Sequence, residues 1–228
     1  QSSASSSGQT SSSGGGSGSC SGGQCKSCGK SGSSSSSKCE SCGAAKPKAN
    51  SEFMGIQSEA KRVAFVLDFS QSMFSPVGGA NPKLDHMLLE LKRSINRMPS
   101  DQDFFIIFFD DQELPMQPER LMPASLSNKG KYFTWVDVAS GGPDARGGTD
   151  PATALEKTLV TVQPDAIFLL TDGGFDEKKA LGVIQQFNSA KKTQINTICF
   201  YDAENEQVMQ FIAKENGGTY RFIGPLNP

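Results

Sequence analysis

The residues best suited to chemistry are oxygen donors that follow apolar runs. Asp68-Phe69-Ser70-Gln71-Ser72 places one carboxyl and two hydroxyls at alternate positions immediately after Val63 to Leu67. Gly147-Gly148-Thr149-Asp150 supplies a further hydroxyl and carboxyl, and Thr171-Asp172-Gly173-Gly174 places an acid after Ala166 to Leu170. Asp68, Ser70, Ser72, Thr149 and Asp172 contain no thiol or imidazole, and hard oxygen sets of this kind suit Mg²⁺, Mn²⁺ or Ca²⁺. Three of the five donors are neutral, so they leave a cation's charge unquenched. If the two carboxylates act partly through bound water, the cation keeps one position for a carboxylate on another molecule. A purely local reading competes with this one. Asp68 can close a turn, Ser70 and Ser72 can satisfy nearby backbone, and Thr149 or Asp150 can cap a helix ahead of Pro151. Asp150 is read mainly as a cap.

Soft ligands lie elsewhere. Cys25-Lys-Ser-Cys28-Gly and Cys39-Glu-Ser-Cys42-Gly are two C-x-x-C-G pairs ten residues apart. Each pair can face one metal, so Cys25, Cys28, Cys39 and Cys42 form a possible zinc site. The separation is short for a zinc ribbon, no apolar residues surround the pairs, and a disulfide or an exposed linker reading stays open. Cys20 is a spare thiol. Cys199, within Ile195 to Phe200, reads as an inert buried one.

The elements that must position the oxygen donors follow from periodicity. Val63–Leu67, Phe104–Phe109, Ala166–Leu170 and Ile195–Phe200 are short continuous apolar runs, as expected of strands buried on both faces. Asn81-Pro82 reads as the N-cap and first position of a helix carrying Leu84, Met87, Leu88, Leu91 and Ile95 inward, with Pro99 as the stop. Glu113–Met122, with Pro115 and Pro118, suits an edge strand or hairpin. Further helices are predicted over Asn128–Ala139 (Tyr132, Trp135, Val136, Val138), from Thr149 (Ala152, Leu155, Leu159, Val162), over Asp176–Phe187 (Ala180, Val183, Ile184, Phe187) and over Glu204–Asn216 (Val208, Phe211, Ile212). Gly217-Gly218 closes the last helix, and Thr219–Ile223 is a final strand. Strands alternating with helices predict an α/β, doubly wound, mostly parallel sheet with helices on both faces. Ligands in such sheets bind at the carboxyl ends of the strands, which is where Asp68, Ser70, Ser72 and Asp172 fall.

The three motifs resemble the metal-ion-dependent adhesion site of von Willebrand factor type A domains: "DFSQS", "GGTD" and "LLTDGG" occur in the family's order and on the matching elements, and the resemblance spans about residues 61–223. It implies a divalent metal, usually Mg²⁺. Ser70 and Ser72 would be direct ligands, Thr149 would ligate in a ligand-bound state, and Asp68 and Asp172 would anchor the site, often through water. It also implies a protein partner whose Asp or Glu completes the metal's shell. "GGTDPATAL" is closest in flavour to bacterial and extracellular members. The strand after Asn196 runs into "CFYDAENE" without the glycine turn often found there, and no long helix is predicted beyond Asn216, so a helix-displacement switch is not implied.

Composition sets the bounds. Residues 1–55 are read as a Ser/Gly-rich low-complexity extension that cannot bury enough apolar surface to order itself, and residues 56–228 as the folded domain. Five lysines and one glutamate in residues 1–50 leave a formal −6 for the rest of a chain whose net charge is −2. An acidic domain without a basic stripe argues against nucleic acid, and no run is long enough to span a membrane. Two alternatives to an adhesion module remain: a subunit serving an intracellular ATPase or chelatase, or an Mg-dependent aspartyl phosphotransferase. The enzyme reading lacks the second acid of a D-x-D, because that position is Ser70, and no P-loop is present. His86 reads as a surface or interhelical residue, Trp135 and Phe69 as packing, and Phe74 as either packing or contact surface. Alanine at Asp68 or Asp172 is expected to abolish binding and spare the fold, since removing one acid relieves carboxylate repulsion.

Overall fold

A computed structural model describes residues 51–77, 81–141 and 147–225. The cysteine pairs Cys25/Cys28 and Cys39/Cys42, and Cys20, lie outside these residues. In chain order the elements are β1 (Ser51–Phe53), β2 (Ile56–Ser58), β3 (Arg62–Asp68), β4 (Pro76–Val77), β5 (Asn81–Pro82), α1 (Lys83–Arg97), β6 (Asp103–Phe109), β7 (Glu113–Pro115), β8 (Met122–Pro123), α2 (Leu126–Ser140), α3 (Ala152–Lys157), β9 (Ala166–Thr171), α4 (Glu177–Phe187), β10 (Gln194–Phe200), α5 (Glu206–Glu215) and β11 (Tyr220–Ile223).

The apolar runs become the centre of a seven-stranded sheet of order β11-β10-β9-β3-β6-β7, with β8 also pairing β6. β3, β6, β9, β10 and β11 are parallel, while β7 and β8 run antiparallel along β6. The reason is burial. In β3, β6 and β9, Val63–Leu67, Phe104–Phe109 and Ala166–Leu170 have essentially no exposure on either face, which only a sheet covered on both sides provides. Connections from β3 to β6 and from β9 through β10 to β11 move in opposite directions across the sheet. Right-handed crossovers therefore put α1 on one face and α4 and α5 on the other. This is the doubly wound arrangement predicted, and the strand order reverses at β3, between β6 and β9. The carboxyl ends of β3 and β9 therefore lie at the place where sheets of this kind bind ligands.

Some elements differ from the sequence reading. Asn81-Pro82 does not start the helix: it pairs with Pro76-Val77, and α1 begins at Lys83. Proline's fixed φ and missing donor suit a short edge pairing as well as a first helical position. Val138 and Phe211 point outward, although their helices bury Tyr132 and Val136, and Val208 and Ile212. The β1–β2 hairpin has no counterpart in the sequence reading. Met54 and Gly55 both take positive φ, 49° and 75°, the backbone of a two-residue hairpin turn whose usual signal is Asn-Gly. The hairpin drives Phe53 edge-on against Phe65 and Phe168, at ring distances of 5.3 and 5.7 Å. Gly217 (φ 65°) ends α5: Gly218 N–H donates to Ala213 O at 2.8 Å, and a Cβ at Gly218 would fall 1.9 Å from Ile195 O. The glycine pair thus closes the helix and allows its close return to β10.

Candidate metal centre

β3 ends in Asp68, which is fully buried. The chain then tightens into a 3₁₀ turn, Gln71–Phe74, closed by Met73 N–H to Ser70 O and Ser75 N–H to Ser72 O, both 3.1 Å. The turn is anchored by its apolar members. Phe69 stacks on Phe108 at 4.5 Å, and Met73 has no exposure. With Phe69 and Met73 held below, the hydroxyls of Ser70 and Ser72 come within 3.0 Å of each other. β9, the neighbour of β3, delivers Thr171 and Asp172. Ser72 Oγ donates to Asp172 Oδ1 at 2.6 Å.

Asp68 is fixed by three donors. Its Oδ1 accepts from Ser70 N–H at 2.8 Å, and its Oδ2 accepts from Thr171 Oγ1 at 2.7 Å and Asp172 N–H at 3.3 Å. Burial pushes its carboxyl up to about 6, and the neighbouring charge of Asp172 adds to that, against the hydrogen bonds from Ser70 and Thr171. Two buried carboxyls one strand apart, with no compensating charge on Asp68, are what a cation would relieve. Among the described residues no three His, Cys, Asp or Glu side chains converge to hold a metal. A cation held here would therefore depend on the serine hydroxyls, and the donor chemistry fits a hard divalent ion.

Of the five sequence-predicted residues, Asp68, Ser70, Ser72 and Asp172 form one hydrogen-bonded group. Thr149 is joined to it through its loop: Gln71 N–H donates to Gly147 O at 3.3 Å, and Asp150 N–H donates to Asp110 O at 2.9 Å. The Thr149 side chain makes no hydrogen bond among the described residues. Asp150 does act locally. Its Oδ1 accepts from Ala152 N–H at 3.0 Å at the start of α3, and its Oδ2 pairs with Lys179.

Two site residues escaped the sequence reading. Thr171 holds Asp68. Lys83, the first residue of α1, sends Nζ to Asp172 Oδ2 at 2.6 Å. A lysine at a helix N-terminus opposes the helix dipole, and that mismatch was a usable sign that its partner lay elsewhere. The structure also changes the expected outcome at Asp68: alanine there would strip three buried donors of their acceptor, a cost of about 1–3 kcal/mol for each.

The flanking residues are structural. His86 Nδ1 lies 3.0 Å from Tyr201 Oη and its ring packs on Phe200, with burial holding its pKa down. Trp135 stacks on Phe108 at 5.4 Å. Cys199 is buried, which pushes its thiol up to about 11.

Residues 61–222 match the model of the von Willebrand factor type A domain, and the chain belongs to that family. Among solved structures it resembles a von Willebrand factor type A protein from Catenulispora acidiphila (17% identity, TM-score 0.55, covering 75% of this chain and 40% of that one). It also resembles proximal thread matrix protein 1 from the mussel byssus with a zinc-occupied MIDAS motif (20% identity, TM-score 0.51, 72% and 42%). A third is manganese-loaded TRAP protein of Plasmodium vivax (15%, 0.50, 72% and 69%). The second and third of these structures carry a divalent metal. The chain spans well under half of the first two of these proteins. No curated protein matches it. No helix among the described residues is long and apolar enough to cross a membrane.

Proposed function

We propose that this domain is a divalent-metal-dependent protein-binding module that captures an acidic side chain of a partner. The observation that carries the reading is one hydrogen-bonded group at the point where the strand order reverses: the Ser70 and Ser72 hydroxyls meet, Ser72 Oγ donates to the buried Asp172 carboxylate, and Ser70 N–H donates to the buried Asp68 carboxyl. Ser70 and Ser72 would hold the ion, with Asp68 and Asp172 behind them, and Thr149 would join from its neighbouring loop. Mg²⁺ is the expected ion, with Mn²⁺ or Ca²⁺ as substitutes. When bound, the ion supplies a Lewis-acidic position that a partner's Asp or Glu can fill. The protein's part is to fix hydroxyls whose neutrality leaves that position attractive to an anion, on a turn that Phe69 and Met73 keep rigid. Metal-loaded relatives support a divalent ion in general. Zinc at Cys25, Cys28, Cys39 and Cys42 is a separate proposal, and metal analysis of a Cys39→Ser, Cys42→Ser variant tests it.

The geometry disfavours a phosphotransferase. A nucleophilic Asp needs a free, approachable oxygen, whereas both oxygens of Asp68 accept hydrogen bonds and the residue is fully buried. Service to an ATPase complex would use the same site, and only the partner would differ.

Water-proton relaxation of Mn²⁺-loaded protein tests the reading. Adding glutarate is expected to lower the relaxation enhancement as a carboxylate displaces metal-bound water, and EDTA is expected to abolish it. Mn²⁺ that binds yet ignores carboxylates would sink partner capture by this route.

A further inference from the structure

We propose that Lys83 is a tethered cation that competes with the divalent ion for Asp172, so that metal entry requires the Lys83 side chain to swing out of the site. The inference rests on the metal reading above and deepens it. Both oxygens of Asp172 are in use: Oδ1 accepts from Ser72 Oγ at 2.6 Å and Oδ2 from Lys83 Nζ at 2.6 Å. An ion that takes Ser72 and leans on Asp172 meets an ammonium already on the same carboxylate. The Asp172 side chain is fully buried, so water does little to screen the two cations from each other.

The lysine is built to leave. Its backbone is the first residue of α1 and stays with the helix, while its four-carbon stem is flexible. Its side chain keeps 16% of its surface open, which provides a path to solvent. The helix terminus repels its charge, so Asp172 is what holds it in place. The charge balance also points this way. Asp68 and Asp172 bring two carboxyls, and Lys83 answers them with one positive charge, where a divalent ion brings two. Deleting the ammonium leaves a site matched to the ion alone. The apparent metal affinity of the wild type is then lowered by the fraction of molecules in which Lys83 occupies Asp172.

The test compares wild type with Lys83→Met and Lys83→Gln by Mn²⁺ titration followed by electron paramagnetic resonance. In parallel, acylation of Lys83 in the wild type is read by mass spectrometry with and without saturating Mn²⁺, with exposed Lys61 as internal control. Both variants are expected to bind Mn²⁺ at least about tenfold more tightly, and Lys83 acylation is expected to rise several-fold with Mn²⁺ while Lys61 is unchanged. Equal or weaker affinity in both folded variants would overturn the competition while leaving the metal site standing. Unchanged Lys83 acylation in metal-saturated wild type would overturn it without any variant. Failure of all three proteins to bind Mn²⁺ would remove the metal reading and this inference together.

Discussion

A carboxylate–cation pair lies at each end of the same two neighbouring strands, the cation coming from β3 at the amino end and from α1 at the carboxyl end, and the two ends behave differently. At the amino end of β3 and β9, Asp165 accepts from Arg62 three times: N–H at 3.0 Å, Nε–H at 3.0 Å and a terminal guanidinium nitrogen at 2.8 Å. Those side chains are 48% and 42% exposed, whereas Lys83 and Asp172 at the carboxyl end are 16% and 0% exposed. The amino-end pair is a clasp: a rigid fork on a carboxylate, screened by water, fixing the strand register at a modest gain. At the carboxyl end a single-point ammonium meets a dry carboxylate, with a second buried carboxyl one strand away. Burial, more than the presence of an ion pair, turns one end into a site where exchange of cations has consequences.

The comparison can be broken or sharpened in decreasing order of effect. Ser70→Ala with Ser72→Ala is expected to weaken Mn²⁺ binding by more than about 100-fold, because it removes both hydroxyls that would hold the ion, and Asp172→Ala, which removes a support behind them, by about 10–100-fold. Calorimetry measures the loss, and an unchanged circular dichroism spectrum separates it from unfolding.

Next comes the pH dependence of the metal-free protein. The folded pKa of Asp68, about 6, lies above its unfolded value, so the folded state holds the proton more firmly. Stability is therefore gained as pH falls below about 6 and lost as pH rises through it. Relative to Asp68→Asn, metal-free wild type is expected to gain about 2–3 kcal/mol between pH 7 and pH 4, and saturating Mg²⁺ is expected to suppress that gain. Urea unfolding at several pH values checks both statements.

The smallest effect belongs to the amino end. Burial raises the pKa of Asp165, but the hydrogen bonds and charge of Arg62 outweigh it and hold the carboxyl below its usual range. The stabilisation is thus present above the unfolded pKa and disappears as pH falls. Arg62→Ala is expected to cost only about 0–1 kcal/mol at neutral pH and nothing measurable in strong acid. A larger loss would mean that the clasp does more than set register.

A fourth expectation concerns Cys199. With its thiol held near 11 and shielded by the sheet, it should resist alkylation in the native protein and react on unfolding, because thiolate rather than thiol is the nucleophile.

Much of the architecture was readable because its signals are local. Continuous runs such as Phe104–Phe109 leave few alternatives to a doubly covered strand, and helical spacing from Leu84 to Ile95 gives one buried face. The failures have physical causes. The β1–β2 hairpin turns at Met54-Gly55, where one glycine among ordinary residues is a weak signal, and what stabilises it is Phe53 reaching Phe65 and Phe168 across the chain. Phe211 reads as inward by spacing, yet half its surface is open, since spacing fixes a helical face but not how far a neighbour covers it.

The sequence by itself determined the identity of the oxygen donors and their places after strands, because a strand's end and the turn that follows are written in neighbouring residues. It also determined the fold class, through the alternation of apolar runs with helical periods. Only the tertiary structure decided which groups share Asp172. That choice joins Ser72, Asp172 and Lys83 from three separate segments, and it depends on adjacent strands excluding water from the carboxylate, which no local pattern records.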